Sequence, residues 1–287
     1  MRSIEMVALL LICVFGHAGC PGEIGFNTQA PPAPAANAPY TGTLESRIPP
    51  PPGFRRVPVE PESFAAALRR LPLKPLGSPV LLYDGRPTSR QDVHAAVVDM
   101  PIGNRDIHQC ADAVIHLRAE YLRSAGRQDE ISFRFVSGFR ASWPRWKEGW
   151  RPIVHGNRVN ERETEAPDAS ERAFRAYMET VFQYANTYSL ANEMQAVQSV
   201  RDMRIGDVFV RGGFPGHAAI VADMAESSDD SRVFLLLQSY MPAQEIHVLK
   251  NPADGGAWYP VDFDRVLNTP EWTFVAADLH RFAQERS

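Results

Sequence analysis

The residue best placed for nucleophilic chemistry is Cys110. It lies in the stretch RDIHQCADAVIHLRAEYL, residues 105–122, whose apolar residues Ile107, Cys110, Ala111, Val114, Leu117, Tyr121 and Leu122 fall at the three-and-four spacing of one helical face. Asp106 is the predicted N-cap, and Gln109 three positions later completes a capping-box-like pair, so Cys110 falls in the first turn. There the unpaired backbone N–H groups and the positive end of the helix dipole favour a thiolate over a thiol by roughly 0.3–1 kcal/mol. The thiolate is the form that attacks carbonyl carbon. The competing reading makes Cys110 a small apolar residue of the buried helix face.

A partner for that sulfur is found in IGDVFVRGGFPGHAAIVADM, residues 205–224. Gly206-Asp207 opens a strand, Gly212 to Gly216 forms a glycine-rich turn, and His217 begins an apolar strand through Ile220 and Val221. Further strands are expected at Val233–Gln238 and Glu245–Leu249, giving an antiparallel meander. A histidine at the first residue of a central strand is a general-base candidate, with Gly216 beside it leaving room for a substrate backbone. With Cys110 it makes a Cys/His pair for acyl transfer. His108 and His116 flank Cys110, but His108 and Cys110 point apart on a helix, which argues against a metal site. No metal or cofactor is expected.

The elements around these two residues follow from composition. With 287 residues, 44% hydrophobic, 22% charged and a net charge of −4, the chain suits one globular domain and offers no basic stripe for nucleic acid. Met1–Glu5 is a short polar start, Met6 to Gly16 an apolar run, and His17-Ala18-Gly19-Cys20 closes it. Such a run is too short to span a bilayer as a mature helix and reads as an export signal, residues 1–19. The small residues before Cys20 resemble a lipobox, in which a cysteine is diacylated and becomes the new amino terminus; an ordinary secretory signal is the alternative. Either way Cys110 is the remaining thiol of the folded body. Residues 20–52 form a proline-rich tether, and 53–287 a single α+β domain.

Within that domain Ser63 caps a short helix carrying Phe64, Ala67, Leu68 and Leu71. Strands are expected at Val80–Tyr83, Ala95–Met100 and Ile131–Ser137. Trp143, Trp146 and Trp150 follow as a cluster that either holds a sugar ring by stacking or covers a small core. Glu161–Asp168 is a polar connection, and helices are expected from Ser170 and over Leu190–Val200.

The order of a helix-opening cysteine, GD at a strand start, GH followed by small and branched apolar residues, and a polar residue on the next strand resembles the papain-like fold of NlpC-type peptidases and CHAP-type amidohydrolases. More closely, IHQCADAVIHLRAEYL, GDVFVRGGFPGHAAIV and LLLQSYMPAQEIHVLKNP, between about Pro52 and Phe282, resemble a bacterial domain-of-unknown-function family, number 4846. The papain-like resemblance implies Cys110 as nucleophile, His217 as base and Gln238 as the group orienting the imidazole, with Asp223 or Tyr240 as substitutes. It implies an oxyanion site at the Cys110 backbone N–H and the Gln109 side chain. Trp143, Trp146, Trp150, Gly216 and Tyr240 are the substrate-contact candidates. The long gap between Cys110 and His217 implies a helical, tryptophan-rich insertion. The expectation is an exported cysteine hydrolase, anchored to a bacterial membrane through Cys20 and acting on an amide or ester of an envelope polymer such as peptidoglycan. The alternative is a non-catalytic envelope lipoprotein that keeps the fold for binding.

Overall fold

The computed structural model describes residues 42–283, and the signal segment with Cys20 lies outside them. The fold is α+β, built on a nine-stranded antiparallel sheet. In chain order its strands are β1 (Phe54–Arg56), β2 (His94–Val97), β3 (Met194–Ala196), β4 (Val208–Arg211), β5 (His217–Ser227), β6 (Arg232–Gln238), β7 (His247–Leu249), β8 (Trp258–Pro260) and β9 (Leu279–Phe282). The spatial order is β2-β7-β6-β5-β4-β9-β3, with β8 added along β6 and β1 along β5. The run β4-β5-β6-β7 is a meander of sequence neighbours, each turning back on the last. Among the described residues no helix is long and apolar enough to cross a membrane.

The helices that matter to the sheet are α1 (Phe64–Arg69) and α2 (Cys110–Ser124), both packed against β5. Ser63 caps α1 by accepting from Ala66 N at 3.1 Å. Helix α2 starts at Cys110, with Gln109 as its N-cap and Asp112 Oδ2 accepting from Gln109 N at 3.0 Å. Asp106, the cap expected from sequence, is used elsewhere: its Oδ1 accepts from Ala243 N at 2.7 Å, tying the approach to α2 onto the loop after β6. β5 is buried from His217 through Ala225, which is why it reads as a nearly continuous apolar run.

A second layer lies between α2 and β3: α3 (Trp143–Lys147), α4 (Glu171–Tyr184) and α5 (Thr187–Glu193), with hairpins at Ser132–Arg134/Arg140–Ser142 and Trp150–His155/Arg158–Glu163. Residues 158–163, whose last three belong to the connection expected over Glu161–Asp168, form a strand whose side chains are mostly exposed, so no apolar alternation marks it. The tryptophans do not make a stacked platform here. Trp143, 2% exposed, packs edge-on to Phe174 at 5.1 Å, and Trp146, 7% exposed, packs on Tyr177 at 5.7 Å. Trp150 is half-buried beneath the Arg145 guanidinium, 3.6 Å from its ring. Burying two indoles against the apolar stripe of α4 outweighs presenting them to water.

The folded body also begins earlier than the expected residue 53. Leu44 is fully buried, and Trp258 Nε1 donates to Pro49 O at 2.9 Å, so Pro49–Pro52 lie along the domain instead of leading away from it.

At the register shift between Val221 and Asp223, β5 turns the Asp223 carboxylate toward two arginines. Arg56 Nε meets Oδ2 and Arg69 Nε meets Oδ1, each at 2.6 Å, with Asp223 fully buried. Both carboxylate oxygens being committed, Asp223 does not serve as the orienting group of the imidazole. Asp223→Ala takes the carboxylate from both guanidinium groups and leaves them only the backbone carbonyls of Ile48, Val57 and Met224, and is expected to cost about 3–5 kcal/mol of stability by urea unfolding. A loss below about 1 kcal/mol would show the triad to be incidental.

Candidate active site

Cys110 enters the site as the first residue of α2 and His217 as the first residue of β5. The Cys110 sulfur, on a residue 7% exposed, is hydrogen-bonded by the backbone of Ala218, the residue following His217, and by the backbone of Ala111. The ring of Tyr240, two residues after β6, lies 4.9 Å from the His217 ring. The start of α2 therefore packs against β5 close to Ala218, the residue after His217. His217 Nε2 is 2.7 Å from Gln238 Oε1. Gln238 stands on β6, hydrogen-bonded neighbour of β5.

Four further side chains complete the surroundings, and sequence reading did not single them out. Glu271 Oε2 accepts from Gln238 Nε2 at 2.8 Å, and His247 Nε2 lies 3.3 Å from the same nitrogen. Trp272 sets its ring 5.4 Å from His217 on one side, while Phe274 stacks at 5.8 Å. His247 was findable, because it pairs in register with Gln238 across β6 and β7. Glu271 and Trp272 come from a loop with no periodic pattern, and only tertiary structure brings them in.

The remaining site candidates fall as follows. Gln109 directs its amide nitrogen to Asp106 Oδ1 at 3.4 Å. Gly216 does not leave room for a substrate: a Cβ there would press on Thr187 and come within 2.7 Å of Arg211 O and Gly213 O, so the chain itself fills the space. Tyr240 donates its hydroxyl to Glu271 O at 3.4 Å. His108 and His116 pair with each other, Nε2 to Nδ1 at 3.1 Å. Among the described residues no group of three or more His, Cys, Asp or Glu is arranged to hold a metal ion.

Residues 44–281 match the profile of a family described as Domain of unknown function (4846). The chain belongs to that family. No curated protein matches the chain, and no solved structure does. The match to family 4846 runs from before β1 to Arg281 in β9 and so takes in every residue of the site.

Burial decides the charge state of this family member's cysteine and histidine. It pushes the Cys110 thiol up to about 11, with Asp112 adding to the rise and the amides of Ala218 and Ala111 opposing it. Asp112 is itself raised well above the usual carboxylate range by burial. Burial likewise draws His217 down to about 4, against the hydrogen bond to Gln238. The helix dipole, worth at most about 1 kcal/mol, loses to desolvation, and at neutral pH the thiol and the imidazole are both uncharged.

His217 therefore binds no proton in the folded state until the pH nears 4, whereas in the unfolded chain it takes one up below 6.5. Its contribution to stability is present above pH 6.5 and is lost as the pH falls toward 4. In His217→Asn the dependence of unfolding free energy on pH across that window should be shallower by about one proton, or about 1.4 kcal/mol per pH unit. Urea unfolding between pH 4 and 7 measures it; an unchanged slope would mean that His217 is solvated.

Proposed function

We propose that this domain is a cysteine hydrolase of papain-like architecture, acting by acyl transfer on an amide or ester bond. The observation that carries the reading is the 2.7 Å contact of His217 with Gln238 at the start of β5, the strand on which the helix opened by Cys110 packs. With Nε2 held by Gln238, the other ring nitrogen of His217 is left to act as a base toward a thiol at the start of the helix packed on the same strand.

The reaction begins from the neutral pair. As Cys110 Sγ attacks the carbonyl carbon, its proton passes to the free His217 nitrogen, and the C=O electron pair moves onto oxygen. Backbone N–H groups at the start of α2 stand ready to meet that oxyanion. Collapse expels the leaving amine or alcohol, which takes the proton back from the imidazolium, and a thioester remains on Cys110. Water, deprotonated by His217, then releases the acid and restores the thiol. Gln238 holds the ring throughout.

The export signal and lipobox-like sequence ending at Cys20 make the proposed setting the bacterial envelope, with a lipid anchor in the membrane and peptidoglycan as the natural amide polymer. The second reading, a non-catalytic envelope binding module on the same fold, is favoured by the deep burial of Cys110. Purified protein incubated with peptidoglycan fragments and with activated esters, followed by mass spectrometry of the products, separates the two. The hydrolase reading expects new carboxyl ends, with turnover lowered by about a thousandfold or more in Cys110→Ala and His217→Ala. Turnover that survives both substitutions, or binding without cleavage by the unsubstituted protein, contradicts it.

A further inference from the structure

We infer that Glu271 and His247 are positioning residues, which lock the amide of Gln238 in one orientation and through it set which nitrogen of His217 carries the proton. The inference rests on the hydrolase reading only for its consequence at Cys110.

A glutamine side chain presents an oxygen and an NH₂ of nearly the same shape, and either end can face an imidazole. The choice has chemical weight. With the oxygen toward His217 Nε2, that nitrogen must bear the hydrogen and Nδ1 keeps its lone pair. With the NH₂ toward it, Nε2 becomes the acceptor, the hydrogen moves to Nδ1, and the ring has no base left for a thiol proton. The 2.7 Å separation between His217 and Gln238 fits both arrangements.

The outer partners remove the ambiguity. His247 Nδ1 lies 2.9 Å from Glu245 O, a carbonyl that only accepts, so Nδ1 bears the hydrogen of that ring. Burial keeps His247 neutral, drawing it down to about 4. Its Nε2 is consequently an acceptor, and it stands 3.3 Å from Gln238 Nε2. Glu271 Oε2, a second acceptor, is 2.8 Å from the same nitrogen. Both hydrogens of the amide thus have a partner. Turning the amide over would set its oxygen against a carboxylate oxygen and a ring lone pair, losing two hydrogen bonds in a buried site. Gln238 Oε1 is left facing His217, and the hydrogen sits on Nε2.

The placement agrees with that role. Gln238 and His247 face each other in register on β6 and β7, whereas Glu271 reaches in from a loop whose next residue, Trp272, packs on the His217 ring. One loop thereby orders the amide and covers the imidazole it orients.

The test uses ¹⁵N-histidine-labelled protein near pH 7, comparing the unsubstituted chain, Glu271→Ala and Glu271→Gln. Ring ¹⁵N shifts report the tautomer of His217, assigned by its loss in His217→Asn. A single Nε2–H tautomer is expected in the unsubstituted protein and in Glu271→Gln, whose amide oxygen still accepts from Gln238, while Glu271→Ala shows a mixture. Acylation of Cys110 by an activated ester in the same samples should slow about tenfold or more in Glu271→Ala and recover in Glu271→Gln, the effect of one hydrogen bond to a charged group. An unchanged His217 tautomer in Glu271→Ala, or a proton already on Nδ1 in the unsubstituted chain, overturns the inference. If the tautomer responds but Cys110 is never acylated, the positioning roles stand and the hydrolase reading falls.

Discussion

A strand that is buried along most of its length cannot leave a polar side chain unpaired, and β5 carries two such groups. At one end His217 is satisfied by Gln238; toward the middle Asp223 is satisfied by Arg56 and Arg69. Unpaired, either would cost a few kcal/mol. Much of the surrounding architecture follows from these two demands. Strand β6 must lie beside β5 in the register that brings Gln238 to the imidazole, and β1 and α1 must arrive on the other half of β5 with their arginines. Helix α2 then packs over the same strand and delivers Cys110 to its start.

The same burial sets the chemistry. A thiol at a helix N-terminus in water would be acidified by the dipole, and an imidazole near a thiol would share its proton. Here desolvation acts on both groups in the opposite sense, raising the acid and lowering the base. Both groups are therefore uncharged at rest, and on the proposed hydrolase reading proton transfer would be coupled to attack instead of preceding it. A polar substrate entering beside Cys110 would itself change that balance, because charged groups are stabilised by nearby dipoles.

Much of this was legible in the sequence because it depends on local pattern. The helix after Gln109 and the meander of β4 to β7 follow from periodicity, and the likeness to family 4846 follows from three phrases that lie on those elements. Positions set by long-range packing were not legible. The tryptophans stood out by composition, but only α4 decides that Trp143 and Trp146 face inward. The proline run looked like free linker until Leu44 and Trp258 were seen to fasten it. Residues 158–163 are a strand open to solvent and carry no apolar alternation to betray it. Glu271 belongs to the site through a contact made across the fold from a loop, a kind of signal that no window of sequence contains.

The central claim is that the Cys110 sulfur becomes an acyl carrier with His217 as its base. Quenched-flow mass spectrometry of the intact protein after mixing with a chromogenic thioester tests this most directly. The account predicts a single acyl adduct that maps to Cys110, appears before steady state and decays by hydrolysis, with its formation slowed in His217→Asn. An unmodified Cys110 while substrate is consumed, or an adduct that forms equally fast without the His217 imidazole, would contradict it.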